Sequence, residues 1–333
     1  MRVREIHLTS RPVGLPKESD FTAAERDLGA LAEGQVRVRN RFISTDPYMR
    51  GRMIDAPGYA APFALNAAIP GRAMGVVMDS RAAGFAPGDV VRSMAGWREA
   101  FDAPPEALEV IETGGISPHH FIAAAGVPGL SAYAGLTRIA GLKAGETVFV
   151  SAASGAVGAI ACQLARLAGA RIVGSAGGPA KCAFLREIGV DAVIDYKAET
   201  DLTTALLRAA PEGIDVYFEN VGGDHLQAAL NVMKPYGRIA VCGMISGYNS
   251  TAPVPGPSNM ALVVGKSLRI EGFRTADHMD LLPDFARRMT AWIAAGEIKT
   301  SETFHEGIDA APRAFISLFT GANFGKPLVT IAD

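Results

Sequence analysis

Cysteine is scarce in this chain: three in 333 residues, with Cys162, Cys182 and Cys242 neither in a Cys-x-x-Cys pair nor beside histidines at zinc-ligand spacing. That scarcity excludes a disulfide framework and a cysteine-built metal site, and it fits a reducing, cytosolic setting. An excess of one charge is also missing. Lys and Arg number 32 against 34 Asp and Glu, a formal net charge of −2, so the basic footprint of a dedicated nucleic-acid binder is absent. The partners expected are small molecules or other chains. The first twenty residues have no apolar core of signal-peptide length, so export is not expected, and the sequon Asn249-Ser250-Thr251 reads as a chance match. One uncharged stretch, Thr147 to Ala165, approaches the length of a membrane span. Its centre reads SAASGAVG, which suits a strand-to-helix turn and not a lipid-embedded helix, so no membrane partner is expected. Internal repeats and low-complexity tracts are absent too.

What is present is a folding composition, 49% hydrophobic and 20% charged, over a length that predicts two domains at about 150 residues each. The first 120 residues are rich in Gly and Pro, with short β-like runs such as Gly34 to Arg39 and Gly75 to Met78. From Thr147 the texture becomes a regular alternation. Strands are predicted over 147–152, 171–175, 191–194, 215–218, 237–242 and 267–271. The helices between and after them are predicted over 156–168, 180–188, 202–209, 224–233 and 281–295. This rhythm predicts an α/β fold with a six-stranded, doubly wound (Rossmann) parallel sheet. The tail from 302 onward reads as loops and short strands that rejoin the first unit.

Directly after the first of these strands come Gly155, Ala156, Val157 and Gly158, then an apolar helix. In a dinucleotide site such glycines allow a tight turn, a backbone approach to the pyrophosphate and close helix-to-strand packing. An NAD site carries Asp or Glu about 20 residues further on. Here the chain reads Gly174-Ser-Ala-Gly-Gly-Pro-Ala-Lys181, with no acid before Glu187. The missing carboxylate and the cation of Lys181 favour NADPH/NADP+ as cofactor, the alternative being that Lys181 is a solvated helix residue.

At these residues the chain resembles the zinc-independent medium-chain dehydrogenases/reductases, in the branch of prostaglandin reductases, alkenal double-bond reductases and curcumin reductase. Upstream, the resemblance is carried by the segments Thr45 to Met53, Gly84 to Asp89, Gly96-Trp97 and Val127 to Leu136. Downstream it is carried by Ala152 to Gly158, Asp195-Tyr-Lys197, Tyr217 to Gly223, Cys242 to Asn249 and Gly321 to Lys326. It implies a GroES-like β-rich catalytic domain over residues 1–121, completed by 298–333, around an inserted NADP-binding domain over 122–297. It implies NADPH as hydride donor to an activated carbon–carbon double bond, and a homodimer. Position by position, it puts Lys181 and Tyr196 at the 2′-phosphate and Asn220 near the ribose. Cys242, Gly243, Met244, Ile245, Ser246 and Tyr248 would border the nicotinamide half, with Phe273, Arg274 and Asn323.

Zinc-dependent relatives of such enzymes use Cys, His and Glu ligands. Here no cysteine precedes Cys162, and His119-His120 stands in a loop without a partner at ligand spacing, so no metal is expected. Without a Lewis acid, a developing enolate needs hydrogen-bond donors. The candidates are Tyr248, past a strand end where doubly wound folds bind ligands, and Tyr48, in a loop that the resemblance puts near substrate. Each has an alternative as a packing ring. The expected reaction is reduction of an α,β-unsaturated ketone or aldehyde, an enone or enal. Quinone reduction and a non-catalytic NADPH sensor stand as alternatives. The loops 56–69 and 251–259 are expected to shape the substrate pocket.

Overall fold

The computed structural model describes residues 1–56, 58 and 60–332; Pro57 and Tyr59, in the loop expected to shape a pocket, lie outside the described residues. The chain divides into two compact units, Met1–Ala123 with Glu302–Asp333, and Ala124–Ser301. The N-terminal part of unit 1 contains β1 (Arg2–Leu8), β2 (Phe21–Asp27), β3 (Val36–Ser44), β4 (Ala73–Ser80), β5 (Val90–Ser93), β6 (Ala100–Ala103) and β7 (Leu108–Val110). In β3 the residues VRVRN alternate. Val36, Val38 and Asn40 are fully buried while Arg37 and Arg39 between them are only partly so, Arg37 paired with Asp102 on the other face, the two-residue period of a strand with one face in a core.

Unit 2 runs α1 (Val127–Ala134), β8 (Thr147–Val150), α2 (Gly158–Leu167), β9 (Arg171–Ala176), α3 (Pro179–Glu187), β10 (Ala192–Asp195), α4 (Leu202–Ala209) and β11 (Ile214–Glu219). It continues through α5 (Gly223–Val232), β12 (Met233–Val241), α6 (Ala261–Gly265), β13 (Arg269–Gly272) and α7 (Leu282–Ala294). The strands form one six-stranded sheet in the order β10-β9-β8-β11-β12-β13, and its pairings are parallel. Val148, Phe149 and Val150 of β8 are all fully buried, as expected for a central strand covered on both faces. The strand order reverses between β8 and β11. Ligands of doubly wound sheets bind at such a reversal, outside the carboxyl ends of the strands.

The returning tail contains β14 (Glu302–Glu306), α8 (Ala311–Thr320) and β15 (Lys326–Thr330). Here the sequence reading is corrected, because α8 is a ten-residue helix and not a loop. Its signals were local: Pro312 in the first turn and Gly321 in the left-handed region (φ 71°) just past the end. α8 packs Phe315 edge-on against Phe21 and Trp97, with ring centroids 6.4 and 6.0 Å apart. Truncating a buried aromatic of this kind costs about 3–5 kcal/mol. β15 pairs antiparallel with β3 and parallel with β14, giving a sheet in the order β14-β15-β3-β4-β5-β7, with β6 also on β3.

A buried ion pair fastens this tail to the segment leading into Tyr48. Lys326 Nζ donates to Asp46 Oδ1 at 2.7 Å and to the Thr45 carbonyl at 2.6 Å, and Ser44 Oγ donates to Asp46 Oδ2 at 2.6 Å. Burial alone would raise the Asp46 carboxyl, but the charges of Lys326 and Arg72 and the Lys326 and Ser44 hydrogen bonds outweigh it and hold the group below its ordinary value. Removing one partner from such a pair leaves the other buried and uncompensated. Lys326→Met is therefore expected to lower the unfolding free energy by about 3–5 kcal/mol in a urea titration. Adding Asp46→Asn should recover part of that loss; an unchanged midpoint for Lys326→Met would contradict the role given to the pair.

Candidate active site

After β8 the chain turns sharply, with Ala152 in the left-handed region (φ 46°) and Gly155 N–H donating to the Ala152 carbonyl at 2.9 Å. A Cβ on Gly158 would lie 2.3 Å from that carbonyl oxygen and 2.8 Å from the Ala153 Cα, so a side chain there has no room. The helix begins at Gly158, two residues later than the sequence pattern predicts, because Ala156 and Val157 are spent in the turn. The result is a helix N-terminus brought against the end of the central strand, with Ala159 N–H and Ala161 N–H held by the Gly155 and Val157 carbonyls at 2.9 Å.

The adjoining end of β11 is locked to it by Glu219, which sequence reading did not single out. This fully buried carboxylate accepts from Ser151 Oγ at 3.0 Å and from the backbone N–H groups of Val221 (2.6 Å) and Gly222 (3.0 Å). Asn220 completes the link: its Nδ2 donates to the Ser151 carbonyl at 2.7 Å, and its N–H donates to Ser151 Oγ at 2.9 Å.

At the ends of β9 and β10, Lys181, Tyr196 and Lys197 converge. A Cβ on Gly177 would come within 2.9 Å of both Lys197 Cε and the Tyr196 hydroxyl, so both residues fold over the loop that precedes α3. Burial, and then the like charge of Lys197, push the Lys181 ammonium below its ordinary value. The one carboxylate here, Asp195, faces backbone instead, accepting from Gly178 N–H at 2.9 Å and Lys197 N–H at 3.2 Å. Two cations and a phenol at adjoining strand ends have the chemistry to hold an anion. Lys197 escaped the sequence reading because it follows a different strand from Lys181, although it stood in the Asp195-Tyr-Lys197 segment. The Tyr196 ring meets His225 edge-on at 5.2 Å.

At the end of β12, the N–H groups of Cys242 and Gly243 both donate to the Glu219 carbonyl, at 2.9 and 3.1 Å. Met244 leads into a single helical turn over Ile245–Gly247, held by Ile245 N–H on the Asn220 carbonyl (3.1 Å) and Ser246 Oγ on the Val221 carbonyl (2.6 Å). The Tyr248 hydroxyl folds back over this strand end. It accepts a long bond from Met244 N–H at 3.4 Å and would lie 3.1 Å from a Cβ on Gly243. Burial, then Glu219, pushes the Cys242 thiol up to about 12, so it is neither a thiolate nor a nucleophile. Phe273 N–H donates to the Val241 carbonyl at 3.4 Å, and Arg274 is engaged by Asp277 at 2.6 Å.

The unit 2 candidates thus gather at the carboxyl ends of β8, β9, β10, β11, β12 and β13. Tyr48 and Asn323 belong to unit 1. Tyr48 lies in the helical turn Pro47–Met53, packed on the core with the Arg72 guanidinium 5.7 Å from its ring centre. Asn323 lies between α8 and β15, its Nδ2 donating to the Gly325 carbonyl at 3.3 Å.

One expectation is overturned. His119 and His120 do not lack a partner, because Glu302, some 180 positions away, comes within 3.9 Å of His119 Nε2 and 3.7 Å of His120 Nδ1. A scan for short ligand spacings misses it, since the tail completes the sheet only in the folded unit. Burial favours the neutral imidazole in both: it lowers His120 and, with the repulsion between the two rings when protonated, takes His119 to about 4.

A family profile described as the N-terminal domain of oxidoreductase matches residues 4–111, and one described as zinc-binding dehydrogenase matches residues 156–294. The NADP(+)-dependent 2-alkenal reductase of Nicotiana tabacum is 40% identical over 335 residues, 99% of this chain and 97% of that protein. The NADPH-dependent curcumin reductase of Escherichia coli (strain K12) is 38% identical over 337 residues, 99% of this chain and 97% of that protein. The crystal structure of CurA from Vibrio vulnificus in complex with NADPH superposes with a TM-score of 0.92 at 38% identity, covering 99% of both chains. Among the described residues, no helix is long and apolar enough to cross a membrane.

His225, which positions the Tyr196 ring, gives this region a pH signature. Burial pulls its pKa from 6.5 down to about 4, with Asp224 opposing only weakly, and its Nε2 lies 3.1 Å from Ser175 Oγ. The unfolded chain therefore takes up this proton first, so the contribution is intact above about 6.5 and is lost as pH falls toward 4. The expected loss is on the order of 3 kcal/mol at most. Imidazole NMR should find His225 neutral at pH 5.5; titration near 6.5 would contradict the assignment.

Proposed function

The chain belongs to the zinc-independent medium-chain dehydrogenase/reductase family, in the branch of prostaglandin, alkenal and curcumin reductases, and from that premise we propose an NADPH-dependent ene-reductase acting on α,β-unsaturated ketones and aldehydes. The observation that carries the reading is the pairing of a phosphate-binding helix N-terminus at Gly158 with the Lys181, Tyr196 and Lys197 cluster two strands away. The residues present fit the cofactor. Gly155 closes the turn with its N–H on the Ala152 carbonyl, Ala156, Val157 and Gly158 present the backbone to the pyrophosphate, and the lysines and Tyr196 meet the 2′-phosphate. Asn220 stands toward the ribose. Cys242, Gly243, Met244, Ile245, Ser246 and Phe273 border the nicotinamide half, with Arg274 at its margin. When bound, NADPH supplies the hydride for the β-carbon of the substrate.

The chain's own residues then manage charge. As the double bond is reduced, negative charge collects on the carbonyl oxygen, and the Tyr248 hydroxyl donates to it. Met244 N–H, directed at that same hydroxyl, fixes the phenol from the backbone side. A proton reaches the α-carbon from water. The high thiol pKa of Cys242 keeps a competing nucleophile out of the site. The family resemblance supports a homodimer.

The direct experiment is an NADPH-oxidation screen over enones, enals, quinones and nitroalkenes with product identification. A saturated ketone from an enone is the expected product; an allylic alcohol, or oxidation confined to quinones, would contradict the reading. Lys181→Ala and Lys197→Ala should each weaken NADPH by about ten- to a hundredfold while leaving NADH nearly unchanged, since a charge-assisted contact is worth roughly 1.5–3 kcal/mol. Equal losses for both cofactors would refute the phosphate assignment. Tyr248→Phe keeps the ring and should leave NADPH affinity unchanged while lowering turnover by up to about a hundredfold, the cost of one oxyanion donor. Wild-type turnover on several enones would make Tyr248 a packing residue and pass the donor role to the cofactor alone or to Tyr48.

A further inference from the structure

The proposed reduction leaves one chemically capable cluster unused, at the two points where the chain crosses the boundary of unit 1. His119 and His120 lie in the helical turn Pro118–Ile122, just before the chain leaves at Ala123, and Glu302 is the first residue on its return. Their ligand atoms all lie within 4.8 Å of one another, and the three side chains are only 10–12% exposed. Three ligands on one tetrahedral zinc at about 2.0–2.1 Å stand about 3.4 Å apart, so side-chain movements of about an ångström bring all three onto one ion.

Two further observations point to a ligand. His120 Nδ1 is buried with no hydrogen-bond partner. His119 is oriented from behind, its Nδ1 2.8 Å from Ser117 Oγ, which leaves Nε2 as the atom that faces Glu302. That is the outer-shell arrangement metal-binding histidines require. Phe42 and Phe304 each meet the His119 ring edge-on at 5.3 Å and restrict water on that side. Two imidazoles and a carboxylate suit zinc and its late-row neighbours far better than magnesium or calcium, and they leave a fourth position for water.

We propose that His119, His120 and Glu302 bind one zinc-class divalent cation that ties the exit of unit 1 to its return and takes no part in the reduction. The cation site is independent of the ene-reductase reading, because its test reads metal uptake; the clause that the cation stands apart from the reduction rests on that reading. Chelator-stripped full-length protein is titrated with Zn2+ against a chromogenic chelator, and with Co2+ followed by its visible spectrum. One equivalent per chain, intense Co2+ bands of low coordination number and a Tm that rises with zinc are expected. Glu302→Gln should weaken zinc by at least about tenfold, Ser117→Ala by about tenfold, and the double variant His119→Ala/His120→Ala should abolish uptake. NADPH binding and the far-UV spectrum should be unchanged in these variants. No stoichiometric uptake by the wild type at micromolar zinc, or full affinity retained in the double variant, would overturn the site. Should the double variant fail to fold, the wild-type stoichiometry and Glu302→Gln decide. Loss of enone reduction in the zinc-free wild type would overturn the claim that the cation stands apart from the chemistry.

Discussion

Between the Ala152 carbonyl and the Gly158 Cα there is no space for a methyl group, and the ligand-binding end of unit 2 depends on that contact. Because the helix can approach so closely, its positive N-terminus faces the end of the central strand at the reversal of strand order. The buried Glu219 then joins β8 to β11 through Ser151, and its backbone carbonyl takes the N–H groups of Cys242 and Gly243 from β12. Three strand ends are therefore fixed by one residue. The loops above them carry Asn220, Ser246 and Tyr248, and these inherit their positions from it.

Unit 1 meets a different constraint, since its sheet is complete only when the chain returns. Hydrophobic packing of α8 on Trp97 and Phe21 supplies much of the closure. The specific link is ionic: Lys326 on β15 pairs with Asp46 two residues before Tyr48, so the segment carrying that tyrosine is set by the last strand of the chain. The His119, His120 and Glu302 cluster has the same logic, with ligands from both sides of the insertion in unit 1.

The sheet of unit 2 was legible because its signals are local and periodic. Apolar runs such as Val148 to Val150 and the Gly-rich turn each lie within one window, and the predicted strands and helices follow them to within a few residues, while the helices α1 and α6 were not predicted. β12 was the exception, starting at Met233 and not Gly237, because α5 runs into it without a loop and Pro235 and Gly237 look like turn residues. That Lys181 lies in the first turn of α3 and that Tyr248 follows the end of β12 could be read from local features. Lys197, Glu219 and the third member of the histidine cluster were not legible. Each acts through a neighbour brought close only by sheet order or by the returning tail, and a single sequence carries no mark of such pairings. Helix α8 was readable in principle from Pro312 and Gly321, but its short span among loop-like residues hid it.

The central claim is that this chain directs hydride to carbon and not to the carbonyl, while charge on the oxygen is met by a phenol. Isotope transfer tests it most directly. An enone is reduced with NADPH deuterated at the transferable C4 position, and the product is read by NMR. The account predicts deuterium on the β-carbon of a saturated ketone. Deuterium on a carbinol carbon, or none in the product, would contradict it.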